Sequence, residues 1–276
     1  MKNTIEKLSV ALFNICLLLL AIIIPALSFA SSESFYRKTL DKSGIYAKVD
    51  KDGEEQRKII YYVGGNKGCA VTLSNAQLDL VASHIVDYLT DELESFELKL
   101  DGVHVIGEGI CDGVSLFGER AISHMKDVKA LMFAAKWVIG ICGATLIGLL
   151  AFFIIKTEKM GKLLFKYSLI FYGAILAAAL LFVLVTLLTA TSEIPFFLRL
   201  WKNLHYIIFP FQPGKVRDSE LSDALTSILT TDFFINAVSY VLLIAFAAVS
   251  LWLITSYLWG KKQGKYNIFK AFRLSF

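Results

Sequence analysis

The sequence predicts an α-helical membrane protein with four transmembrane helices and a small α+β extracytoplasmic domain. Three observations predict it. Hydrophobic residues make up 56% of the 276-residue chain and the mean hydropathy is +0.60, well above the balance of a soluble domain. Four runs, 9–29, 137–155, 167–189 and 233–258, contain no Asp, Glu, Lys or Arg, and each is long enough to cross a hydrocarbon core of about 30 Å as a helix. Most of the charged residues collect in one stretch between the first and second runs.

The elements divide the chain into five parts. Residues 1–30 form an N-terminal transmembrane anchor. Ser28-Phe29-Ala30 has the small-residue look of a signal-peptidase site, but a signal h-region spans about 7–15 residues and this run is longer, which favours an uncleaved anchor. Cys16 lies in the middle of the run, so no lipobox accompanies it.

Residues 31–130 form the extracytoplasmic α+β domain. Alternation over 45–49, the turn signal Asp50-Lys-Asp-Gly53, the β-rich stretch 58–63 and the turn Gly64-Gly65-Asn66 predict a hairpin. From Ser74 the period changes. Leu78, Val81, Ile85 and Tyr88/Leu89 recur at helical spacing behind Ser74 as cap. A short strand is expected near 103–106, and a second helix from about Leu116 into the second span. A domain this small has little core of its own, so the membrane face or the second outer loop is its expected support.

Residues 131–189 carry transmembrane helices 2 and 3. Residues 190–232 form an extracytoplasmic loop too charged to span and too apolar to float free. It reads as an interfacial amphipathic segment with Phe196, Phe197 and Trp201 at head-group level, followed by a short helix over 219–230. Residues 233–276 supply transmembrane helix 4 and a basic tail.

Charge gives the orientation. The N-terminal tail, the short link with Lys156, Lys159, Lys162 and Lys166, and the tail with Lys261, Lys262, Lys265, Lys270 and Arg273 are basic, whereas acids outnumber bases in 31–130. Basic short loops remain in the cytoplasm. The expectation is a multi-pass protein of the cell membrane with both termini cytoplasmic. The net charge of +4 therefore reports topology, and nucleic acid is not an expected partner. Cys16 and Cys142 fall in spans; Cys69 and Cys111 fall in the outer domain, where one bridge is allowed and nothing in the spacing decides it.

The four histidines differ in setting. His84 and His104 read as ordinary members of a helix and a strand. His124 is set apart by its neighbours: Arg120, His124 and Asp127 share one helical face, and a carboxylate three residues on can orient an imidazole and raise its basicity. His205 lies in the aromatic loop, where a titratable ring is costly and invites a functional reading. No nucleophile elbow, His-Glu-x-x-His, Walker loop or dinucleotide fingerprint is present. Neither outer segment clusters a third zinc ligand, and no cofactor is expected. The spans lack the charged pairs of a carrier.

The chain resembles the Lit-type lipoprotein intramolecular transacylase family of Gram-positive integral membrane proteins. The resemblance rests on the anchor, the outer domain, the run Phe117-Gly-Glu-Arg120-Ala-Ile-Ser-His124-Met125-x-Asp127-Val128-Lys129, the loop Leu204-His205-x-x-x-Phe209 and the last span after Asp232-Phe233-Phe234. Departures are the order Glu119-Arg120 and Gln212-Pro-Gly-Lys-Val where a tryptophan is expected after His205. The resemblance implies an acyltransferase acting on diacylglyceryl-modified lipoproteins at the membrane lipid surface. It would move the sn-2 acyl chain to the cysteine α-amino group and leave an N-acyl lyso-form lipoprotein. It implies an outward-facing site with His124, His205 and Asp127 as catalytic residues and Arg120, Trp201 and Phe209 against the substrate. Two readings compete: a non-catalytic envelope accessory protein, and another outer-leaflet lipid hydrolase that uses water in place of the amine.

Overall fold

The computed structural model describes residues 2–56, 59–65, 69–106, 114–155, 160–188 and 224–262. It separates into two compact units. One holds the described residues of Met1–Pro25, Ala135–Leu200 and Tyr240–Phe276; the other holds those of Ala26–Ala134 and Trp201–Ser239.

Four long helices carry the apolar runs: α1 (Lys2–Ala30), α4 (Glu119–Ile155), α5 (Met160–Leu188) and α7 (Thr231–Lys262). All four are long and apolar enough to cross a membrane. At most 28% of the residues in each apolar window are buried within the protein, so most of these side chains are left for lipid to cover. α4 starts about five turns ahead of its apolar run, which makes its first turns part of the polar unit.

The helical unit has its own small core of Val10, Phe13, Phe153, Met160 and Leu164. The Phe13 ring lies 4.5 Å from that of Trp252 and 5.7 Å from that of Phe153, tilted to both. Beside it lies a polar knot. The buried Asn14 amide donates to the Val10 carbonyl at 2.9 Å, the Ser168 hydroxyl donates to Asn14 Oδ1 at 2.8 Å, and the Trp252 indole donates to Ser168 Oγ at 3.1 Å. Every donor in that chain finds an acceptor, which is what lets polar side chains sit in a span at all. Gly161 on α5 and Gly260 on α7 bring two backbones into contact: a Cβ on Gly161 would stand 2.6 Å from Gly260 N.

The polar unit begins with α2 (Glu33–Lys42), whose N-cap Ser32 accepts from Phe35 N at 3.3 Å. β1 (Lys48–Val49) pairs antiparallel with β2 (Glu55–Gln56). Between them Asp50 Oδ1 accepts from the amides of Asp52 and Glu54, and Gly53 takes φ +85°. This differs from the expected pairing of 45–49 with 58–63. The tight Asp50–Gly53 turn closes the hairpin at once, and β3 (Tyr61–Tyr62) pairs instead with β4 (Ala70–Thr72), which also takes β5 (His104–Ile106) on its other edge. Gly64, at φ +62°, makes the turn between β3 and β4.

α3 (Asn75–Leu89) opens on a complete capping box: Ser74 Oγ accepts from Gln77 N and Gln77 Oε1 accepts from Ser74 N. Its apolar face, Leu78, Val81, Ala82, Ile85 and Leu89, is buried against Tyr61, Val71, Phe96 and Phe117. The same core takes in Ala224, Leu225 and Ile228 of the short helix α6 (Ala224–Ile228), and Phe233 at the start of α7. α6 packs on β3 and the 63–65 turn. Cys69 is disulfide-bonded and Cys111 lies outside the described residues, whereas Cys16 and Cys142 are free and buried.

Candidate functional site

The first turns of α4 carry the candidate site. The chain enters them through a fixed approach. Leu116 N donates to the Leu98 carbonyl at 2.7 Å, Gly64 N donates to the Leu116 carbonyl at 3.2 Å, and Leu116 and Phe117 are buried. Ile122 N then donates to the Gly118 carbonyl and the helix is under way.

At 3.6 residues per turn, Ala121, Met125, Val128 and Met132 fall in one stripe, and all four belong to the polar unit's core or pack against it. Arg120, His124 and Asp127 run along one flank of that stripe. Arg120 is exposed, His124 is half-buried, and Asp127 is half-buried with its Oδ2 atom fully covered. A covered carboxylate oxygen and a half-open imidazole on the same flank can orient a base while leaving it open to a substrate.

Lys129 lies along the opposite flank. Its Nζ donates to the Leu93 carbonyl at 2.8 Å, pairs with Asp91 Oδ1 at 2.7 Å and stands 4.6 Å from the Tyr88 ring centroid. Tyr88 is buried, and burial pushes its phenol up from the ordinary tyrosine value; Lys129 opposes that shift, while Asp127 and Asp91 reinforce it. The end of α3 and the start of α4 thus form one electrostatic neighbourhood. In the sequence Tyr88 is a member of the apolar period of α3 only, and neither it nor Asp91 carries a motif that ties it to this flank.

His84 and His104 are placed away from this flank. His84 Nε2 is 3.2 Å from the Phe96 carbonyl, with its ring beside the stacked pair Phe96 and Phe117. Burial lowers its pKa from the ordinary 6.5, so it is held neutral as a packing residue. His104 is exposed on β5 and lines an open groove with Glu54, Glu55 and Thr72. His205, Trp201 and Phe209, together with the expected interfacial segment around them, lie outside the described residues. Among the described residues no group of three or more His, Cys, Asp or Glu side chains is placed to hold a metal ion.

The family model for lipoprotein intramolecular transacylase Lit matches residues 9–234, most of the chain and both candidate histidines. The chain belongs to the Lit family. Solved structures agree on the fold. The in meso structure of the membrane-integral Lit from Bacillus cereus matches with a TM-score of 0.59 and 14% identity, covering 95% of this chain and 98% of that one. A second form of that enzyme, with one histidine replaced by arginine, matches with a TM-score of 0.58 and 13% identity over 95% of each chain. A third, with a histidine replaced by alanine, gives 0.58 and 14% over 95% and 96%. No curated protein matches the chain. As a Lit-family transacylase with four membrane-crossing helices, the protein is a membrane enzyme.

Proposed function

We propose that this Lit-family member moves the sn-2 acyl chain of a diacylglyceryl-cysteine lipoprotein onto the cysteine α-amino group. The observation that carries the reading is the family match over 9–234, which includes the Arg120–His124–Asp127 flank and His205. The chemistry suits those residues. The amine nitrogen attacks the ester carbonyl carbon, the bond to the glycerol oxygen breaks, and the alkoxide takes up a proton. The product is an amide beside a free glyceryl hydroxyl.

An α-amino group has a pKa near 8, so a base must take its proton. His124, oriented by Asp127, is that base, and His205 delivers a proton to the leaving oxygen. Donor and acceptor belong to one molecule, so proximity lowers the barrier without an enzyme nucleophile. Arg120, Trp201 and Phe209 are assigned to hold the lipoprotein and its acyl chains. The site faces outward and both termini are cytoplasmic, a placement supported by the lysines at 156–166 and 261–270. Reporter fusions test it: a C-terminal alkaline phosphatase fusion that is active would place the tail outside and overturn the orientation.

The transfer leaves the intact mass unchanged, so the test must locate the acyl chain. In a host without any other N-acylating enzyme, the lipoprotein N-terminal peptide is expected to show an N-acyl fragment in tandem mass spectra and no amine labelling. Free fatty acid with a labelled amine would identify a hydrolase instead. His124→Ala and His205→Ala are each expected to lower product formation about 10²–10⁴-fold; wild-type product from both would remove the site assignment.

A further inference from the structure

We propose that Lys129 and Asp91 form a latch that sets the rotation of α4, and so aims the flank bearing Arg120, His124 and Asp127. The inference rests on the transacylase reading for its consequence in turnover, but not for its geometry. Lys129 Nζ is tied three ways to the end of α3: to Asp91 Oδ1 at 2.7 Å, to the Leu93 carbonyl at 2.8 Å and over the Tyr88 ring at 4.6 Å. The stripe beneath it, Ala121, Met125, Val128 and Met132, sets one stiff β-branched side chain among one small and two flexible ones, and methionine packs well over a range of helix rotations. Packing of this stripe therefore leaves some latitude in the angle of α4. A three-point tie on one flank fixes it, and the flank so fixed is the one opposite.

The backbone supplies a second, independent observation. Asp91 follows the Thr90 C-cap of α3 and adopts φ +79°. That left-handed position is ordinarily given to glycine; Asp is one of the few other residues that adopts it, at a higher cost than glycine. The Asp91 side chain is 68% exposed, and an exposed ion pair contributes little to stability. Stability alone would favour glycine at this position. An aspartate there is accounted for by where its carboxylate holds the Lys129 ammonium.

The full-length protein in detergent or nanodiscs tests the latch with Asp91→Gly, Lys129→Met and Lys129→Arg. Glycine suits the left-handed φ better than aspartate, so Asp91→Gly removes the carboxylate with a Tm expected at or above that of the wild type. Two readouts follow. With a purified diacylglyceryl lipoprotein as substrate, kcat of Asp91→Gly and Lys129→Met is expected to fall about 10–100-fold with KM nearly unchanged. Lys129→Arg recovers most of it, because a guanidinium can serve both the carboxylate and the carbonyl. Independently of turnover, the rate at which diethylpyrocarbonate modifies His124, mapped by peptide mass spectrometry, is expected to rise several-fold in Asp91→Gly and return in Lys129→Arg. An unchanged His124 rate in Asp91→Gly overturns the latch, whether or not the protein turns over. A wild type that forms no N-acyl product overturns the transacylase reading, and the His124 rates still decide the latch.

Discussion

His84 shows how far local chemistry alone settles a residue's part. Its imidazole, against Phe96 and Phe117 with Nε2 at the Phe96 carbonyl, is disfavoured as a cation by burial. The folded pKa lies below the unfolded one, so the unfolded chain binds more protons as pH drops through about 6.5. The associated stability is present above that pH and is lost progressively below it. Melting of the polar unit should therefore fall between about pH 7.5 and 5.5, and the fall should be smaller in His84→Gln, which keeps a donor for the Phe96 carbonyl. An unchanged pH slope in that variant would count against a neutral, half-buried imidazole. Ser74 gives a second residue-scale test: losing the capping box in Ser74→Ala should cost about 1 kcal/mol, read as a shift in denaturation midpoint. That cap was legible in the sequence because its rule is local. The conformation of Asp91 was not, since Asp tolerates both signs of φ and the ion pair that holds it comes from α4.

Among the elements, the helices with strong periodicity or unbroken apolar runs were readable and the short ones were not. α3 and the four long helices follow patterns that packing merely completes. α2 was missed because only Tyr36, Thr39 and Leu40 of its ten residues are buried, too few to write a period into the sequence. The hairpin over 45–63 was assigned the wrong partner for a related reason: strands of two or three residues carry too little alternation to specify register. Nor could the sequence single out which glycines matter. Gly161 faces the α7 backbone, whereas Gly173 on the same helix has nothing within 4 Å of its missing Cβ. Gly161→Ala should therefore force α5 and α7 apart and cost about 1–3 kcal/mol. Gly173→Ala should be neutral or slightly stabilising. Thermal unfolding of the detergent-solubilised protein distinguishes them, and equal Tm values would refute the backbone contact.

At the scale of the whole chain, the polar unit is not a self-contained insertion between two spans. Its core combines residues from 36 to 132 with Ala224, Leu225, Ile228 and Phe233, so two segments separated by the helices of the other unit close on one interior. The small size of the outer domain predicts support from the membrane face or the second outer loop, without saying which residues supply it. The stretch 213–218 is polar and charged, and the short helix expected over 219–230 carries too few apolar residues to signal a core. The consequence for the candidate site is that the sheet and α3, against which α4 packs its stripe, depend on a helix supplied from far along the chain. Ile228, fully buried, measures that dependence. Were α6 only a surface linker, Ile228→Ala would stay within about 0.5 kcal/mol of wild type. As a core residue it should cost about 2–5 kcal/mol, comparable to Leu78→Ala on α3, with the loss read as protease sensitivity of the polar unit. It should also raise the diethylpyrocarbonate reactivity of His124, because a loosened core releases the stripe on which α4 rests.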